Sequence, residues 1–131
     1  EGCSSLASVE IPSGIEGIGS EAFRQCSGIT SVKLPSAITS IENGTFSGCN
    51  SLINITLPMG ITSIGNVAFY GCSSLEDIKI PSKVDNIGER AFEYCSSLTG
   101  IKIPSSVTSI KMVLSQYSGH RKCDFYAAPS A

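Results

Sequence analysis

Cysteine is the residue best suited to chemistry in this 131-residue chain, and five of its six cysteines keep a fixed interval. Cys3, Cys26, Cys49, Cys72 and Cys95 stand 23 residues apart. Thiols invite disulfide bonding, metal ligation or nucleophilic attack. A bridge needs Cα atoms within about 7 Å, and neighbours one interval apart in a stack would approach that limit. Yet every cysteine of such a column has at most two equivalent neighbours, and a column of five leaves one out. Zinc sites ask for short spacings such as Cys-x-x-Cys, and none occurs. The column therefore reads as small apolar thiols filling a core, and neither a metal nor a cofactor is expected. Cys123 falls outside the column, near His120, the only histidine. A Cys–His nucleophile needs a third orienting group and a pocket. Neither can be placed, so His120 reads as a solvated residue of a polar tail, no catalytic residue is expected, and the chain reads as no enzyme.

Two other motifs have chemical precedents. Gly17-Ile18-Gly19-Ser20-Glu21-Ala22 fits the dinucleotide fingerprint, but no long helix follows to meet a pyrophosphate. Gly19 and Ala22 also recur as Gly65 and Ala68, so a repeated structural slot explains them. Asn43-Gly44-Thr45 and Asn54-Ile55-Thr56 fit the N-glycosylation triplet, which has meaning only in a secreted eukaryotic protein.

The elements that must position these residues share the cysteine interval. Proline recurs at Pro12, Pro35, Pro58, Pro81 and Pro104, and phenylalanine at Phe23, Phe46, Phe69 and Phe92. A period of this size predicts a stack of repeats, a solenoid, and not a domain around one central core. In the fourth unit, Ile78-Lys79-Ile80 alternates apolar and polar, as in a strand with one buried face. Pro81 ends that strand. Val84 and Ile87 turn inward again, Gly88 marks a backbone conformation that a side chain would hinder, and Gly-x-x-Ala-Phe reads as one short helical or 3₁₀ turn. Inward columns run through Val9, Val32, Ile55, Ile78 and Ile101 and through Ile11, Leu34, Leu57, Ile80 and Ile103. Five strands in one parallel sheet, about 4.8 Å apart, are expected. Between the inward columns lie outward slots: Ser8, Ser31, Asn54, Asp77 and Gly100 in one, and Glu10, Lys33, Thr56, Lys79 and Lys102 in the other. The strand side of such a stack makes an extended binding surface, so these positions are the candidate partner-binding residues. None is a large aromatic, so contacts there are expected to be weak singly and strengthened by multivalency.

Bulk composition narrows the partners. Charged residues make up 15%, against roughly 25% in an average domain. The net charge of −2 and the lack of a basic stripe argue against nucleic acid. No apolar run approaches the roughly 20 residues a spanning helix needs, so no direct membrane insertion is expected.

The string Leu-x-x-Ile-x-Ile-Pro-x-x-Val-x-x-Ile-Gly-x-x-Ala-Phe-x-x-Cys is carried by Leu75, Ile78, Ile80, Pro81, Val84, Ile87, Gly88, Ala91, Phe92 and Cys95. It resembles the 23-residue leucine-rich repeat of BspA-like surface proteins. The resemblance covers residues 3 to 110, with Glu42 in a glycine slot and Thr45 in an alanine slot. It implies a right-handed coil with one parallel β-sheet and short turns or 3₁₀ segments on the return side. Residues 1–110 thus read as five repeats that begin mid-repeat without an N-terminal cap. After Ile110 the pattern breaks: Lys111, Leu114 and Ser115 fill the glycine, alanine and phenylalanine slots. Residues 111–131 read as an atypical C-terminal cap, covered by Val113, Leu114, Tyr117, Phe125 and Tyr126, or as a loosely ordered tail. The open first unit predicts membership of a longer array or end-to-end self-association. The resemblance further implies an extracellular or cell-surface location and a non-enzymatic adhesion module for a protein ligand, such as a host matrix or cell-surface protein. A structural spacer within a larger surface protein is the alternative.

Overall fold

Each unit offers only three alternating residues before its proline, and the strands are correspondingly short. The computed structural model describes residues 7–98, 100–107, 109–110 and 124–127. Strands on the alternating stretch are β1 (Ser8–Glu10), β2 (Ser31–Lys33), β4 (Asn54–Thr56), β7 (Gly100–Ile103) and β9 (Asp124–Ala127). Strands on the return side are β3 (Ser40–Ile41), β5 (Ser63–Ile64), β6 (Asn86–Ile87) and β8 (Ser109–Ile110). All pairings are parallel. In β1-β2-β4 and in β3-β5-β6-β8 each residue faces its equivalent one period away, as Val9 faces Val32 and Ile41 faces Ile64. β7 pairs with β9 with Gly100 opposite Asp124, one residue beyond the period. That strand places Phe125 opposite Ile101 within the segment that follows Ile110.

Three expectations are corrected. The single sheet is replaced by three, β1-β2-β4 and β7-β9 on the alternating stretch and β3-β5-β6-β8 on the return side, where the Ser-Ile and Asn-Ile pairs align as regularly as the strands do. No 3₁₀ segment or helix occurs among the described residues; the Gly-x-x-Ala-Phe stretch, expected as a helical or 3₁₀ turn, is a run of plain turns. In the fourth unit, Ile78-Lys79-Ile80 forms no strand, and only a bridge from Asn54 to Asp77 joins it to its neighbour. A three-residue strand is held by so few ladder bonds that the loss of one reduces it to a bridge. Its packing survives, since Ile78 and Ile80 remain buried.

The turn segments form a further ladder. The N–H groups of Glu21, Phe23 and Gln25 donate to the carbonyls of Asn43, Thr45 and Ser47 at 2.7–2.9 Å. The intervening N–H groups of Ala22, Arg24 and Cys26 close turns inside the unit. Sending alternate N–H groups along the stack puts two positions per unit in the left-handed region. These are Glu21 and Gln25, Gly44 and Gly48, Val67 and Gly71, and Arg90 and Tyr94, with φ between 49° and 78°.

Equivalent apolar side chains stack in columns. Ile38, Ile61 and Val84 are fully buried, and Phe23, Phe46, Phe69 and Phe92 lie 5.3–5.6 Å apart, nearly parallel. A fully buried phenylalanine contributes roughly 1.5–3 kcal/mol, so this column is a main source of cohesion between units. Glycine keeps the units close where it is needed. A Cβ at Gly88 would lie 2.5 Å from the Asn66 nitrogen, and one at Gly65 2.5 Å from Asn43 Oδ1. The hindrance expected at Gly88 is thus close approach and not a left-handed φ. That approach lets Asn43 Oδ1 accept the Asn66 N–H and Asn66 Oδ1 accept the Glu89 N–H, both at 2.8 Å.

Candidate functional site

Four of the residues that looked chemically active are built into the stack. Cys26, Cys49, Cys72 and Cys95 are buried thiols outside any disulfide. The thiols of Cys49, Cys72 and Cys95 donate to the carbonyls of Phe23, Phe46 and Phe69, each at 3.1 Å. Each thiol thus satisfies the backbone of the preceding unit. Burial, and then the neighbouring Cys95 and Cys49, push the Cys72 thiol well above its ordinary pKa. A protonated, buried thiol is a poor nucleophile. Cys3, His120 and Cys123 lie outside the described residues. No group of three or more histidine, cysteine or acidic residues suited to a metal occurs among the described residues. The Gly17–Ala22 stretch leads into turns, so the dinucleotide motif has no helix to serve.

The two glycosylation triplets are held differently. Thr45 is fully buried and its hydroxyl donates to the Glu42 carbonyl at 2.9 Å, while Asn43 Oδ1 is committed to Asn66. Asn54 and Thr56 are both exposed on β4.

The strand face collects the remaining candidates. Strand register sets Ser8, Ser31 and Asn54 side by side, and Glu10, Lys33 and Thr56 likewise. Asp77 follows Asn54 through the bridge, and Lys79 stands two residues on. Ser31 is half-buried; Ser8, Glu10, Lys33, Asn54, Thr56, Asp77 and Lys79 are exposed. Lys102 takes its register position on β7 opposite Tyr126. Glu10 and Lys33 approach to 3.8 Å with both side chains largely in solvent. Such a pair contributes about 0–1 kcal/mol, so both charges are available to a partner.

Column reasoning on strand slots alone misses the most exposed large apolar side chain among the described residues. Met59 is 70% exposed just after Pro58, and Ile53 is 40% exposed just before β4. Met59 has serine at its equivalents Ser13, Ser36, Ser82 and Ser105, so comparison of turn slots would have found it. Beside it a shallow recess of about 590 Å³ opens between Lys33–Leu34 and Pro58–Gly60. No helix of the described residues is long and apolar enough to cross a membrane.

Known proteins match this arrangement. The model of the BspA type leucine rich repeat region matches residues 1–119 in six copies. A leucine-rich repeat protein of T. pallidum is 35% identical, with a TM-score of 0.75 over 79% of this chain and 50% of that one. A leucine-rich repeat protein from Bacteroides ovatus is 33% identical, with a TM-score of 0.71 over 78% of this chain and 32% of that one. A third, from Eubacterium ventriosum, is 28% identical, with a TM-score of 0.76 over 94% of this chain and 32% of that one. The chain thus spans a third to a half of the length of these proteins. No curated protein matches it.

Proposed function

The chain belongs to the BspA-type leucine-rich repeat family, and on that premise we propose that it is a non-enzymatic recognition and adhesion module of a microbial surface or secreted protein. One observation carries the reading. The β1-β2-β4 face holds polar and charged side chains out of the stack in register, while the four thiols among the described residues are buried. The partner is a protein, such as a host matrix or cell-surface protein, and the contacting residues are Ser8, Glu10, Ser31, Lys33, Asn54, Thr56, Asp77, Lys79 and Lys102. Parallel strands joined through a crossover take the right-handed sense in about 98% of cases, which supports a right-handed solenoid with this face displayed along its length.

Adhesion is tested with Lys79→Glu combined with Lys102→Glu, exchanges at outward slots of the repeat pattern that leave the core columns unchanged. Binding to matrix or cells should fall about tenfold or more, as truncation of a few central contacts does. Unchanged binding would favour a spacer that holds another domain away from a surface.

A further inference from the structure

Charge is distributed unevenly along the stack. The third unit, Cys49 to Gly71, contains no aspartate, glutamate, lysine or arginine, while Lys33 and Glu42 lie in the unit before it and Asp77 and Lys79 in the unit after. Two of the four large apolar side chains exposed among the described residues, Ile53 and Met59, flank β4 of that same unit. Neither is demanded by the stack. The equivalents of Ile53 include Ala7, Thr30 and Glu76, and those of Met59 are all serine. Depletion of charge at the centre, methionine in that centre and a charged rim are the composition of a protein interface.

The recess gives this patch a shape. Its lining includes Lys33, Leu34, Thr56, Pro58, Met59 and Gly60. A Cβ at Gly60 would meet nothing nearer than the Ile38 carbonyl at 3.9 Å, so the floor is open beside Met59. Thr56 pairs with Lys33 in register, and Lys79 stands two residues past Asp77, which bridges to Asn54; both lysines are exposed. Two repeat steps at the spacing of paired strands come to about 9.6 Å. A polyproline II segment repeats every third residue at about 9.3 Å, which matches that separation.

We infer that the third unit docks an extended acidic segment of a partner protein, with one apolar side chain in the recess beside Met59 and two carboxylates, three residues apart, on Lys33 and Lys79. This rests on the recognition reading of the strand face and names the chemistry of its partner. Lys33 gives up only its solvent-exposed pairing with Glu10 to accept the first carboxylate. The bound segment lies across the rungs, and its apolar residue covers Met59 and Pro58.

A fluorescein-labelled synthetic peptide, Pro-Asp-Pro-Leu-Asp-Pro, tests this by anisotropy against the full chain. Binding is expected to weaken about tenfold for Met59→Ser, a change to the residue that the other four units carry, and for Lys33→Glu. A peptide with both aspartates replaced by lysine should not bind. Absence of binding overturns the inference, as does binding that is indifferent to Met59→Ser or equal for the lysine peptide. Matrix or cell adhesion of wild type and of the Lys79→Glu, Lys102→Glu variant is measured in parallel. Adhesion that the variant loses while the peptide fails to bind leaves the recognition reading standing and removes only the acidic segment.

Discussion

A thiol kept from water gives up its proton reluctantly, and Cys72 is such a thiol. Its proton is retained by the fold at pH values where the unfolded chain, with a thiol pKa of about 8.5, releases it. The raised pKa therefore adds stability that is complete below about 8.5 and declines as pH climbs above it. Urea midpoints measured across that range should fall on the alkaline side; a flat profile would contradict the burial of the column. A second residue-scale consequence concerns Val67. A β-branched side chain at φ 49° is strained, and its equivalent in the preceding unit is Gly44. Asparagine tolerates the left-handed region, so Val67→Asn should stabilise the protein by about 1 kcal/mol, read as a higher urea midpoint. A lower midpoint would mean that the packing of the valine outweighs its strain. These strained positions escape sequence reading because Glu21, Gln25, Val67, Arg90 and Tyr94 occupy slots where only Gly44, Gly48 and Gly71 betray the conformation.

At the scale of elements, the asparagine hydrogen bonds and the glycines beside them form one device. Gly88→Ala would drive a Cβ into the Asn66 backbone, whereas Gly19→Ala at the equivalent slot meets nothing within 4 Å. Overpacking of this kind costs about 1–3 kcal/mol, so the first change should lower the thermal midpoint by several degrees and the second should not. Equal effects of the two would deny the close approach of the units. The β1-β2-β4 ladder was legible in the sequence because Val9, Val32 and Ile55 repeat between polar neighbours. The return ladder was not, since a two-residue Ser-Ile strand carries too little alternation to be told from a turn. Ile78-Lys79-Ile80 shows the reverse failure: its alternation is intact and still yields only a bridge. Of the candidate surface, the outward slots followed from alternation, while Met59 lies past the proline where alternation has ended.

For the whole molecule, cohesion arises between neighbouring units and not around a single centre. Stability in such a stack sums over units and the interfaces between them. The interval between equivalent residues is therefore the quantity on which everything else depends, including the alignment of Lys33 with Lys79. Excision of residues 26–48, one whole unit, returns Cys49 to the position of Cys26 and keeps every later register. Excision one residue shorter shifts every later side chain by a step. Urea unfolding of the two deletions is the most direct measurement. Superposed units predict that the whole-unit deletion unfolds cooperatively at a reduced midpoint while the shorter one has lost its cooperative transition. Two deletions with the same unfolding behaviour would contradict the stack itself.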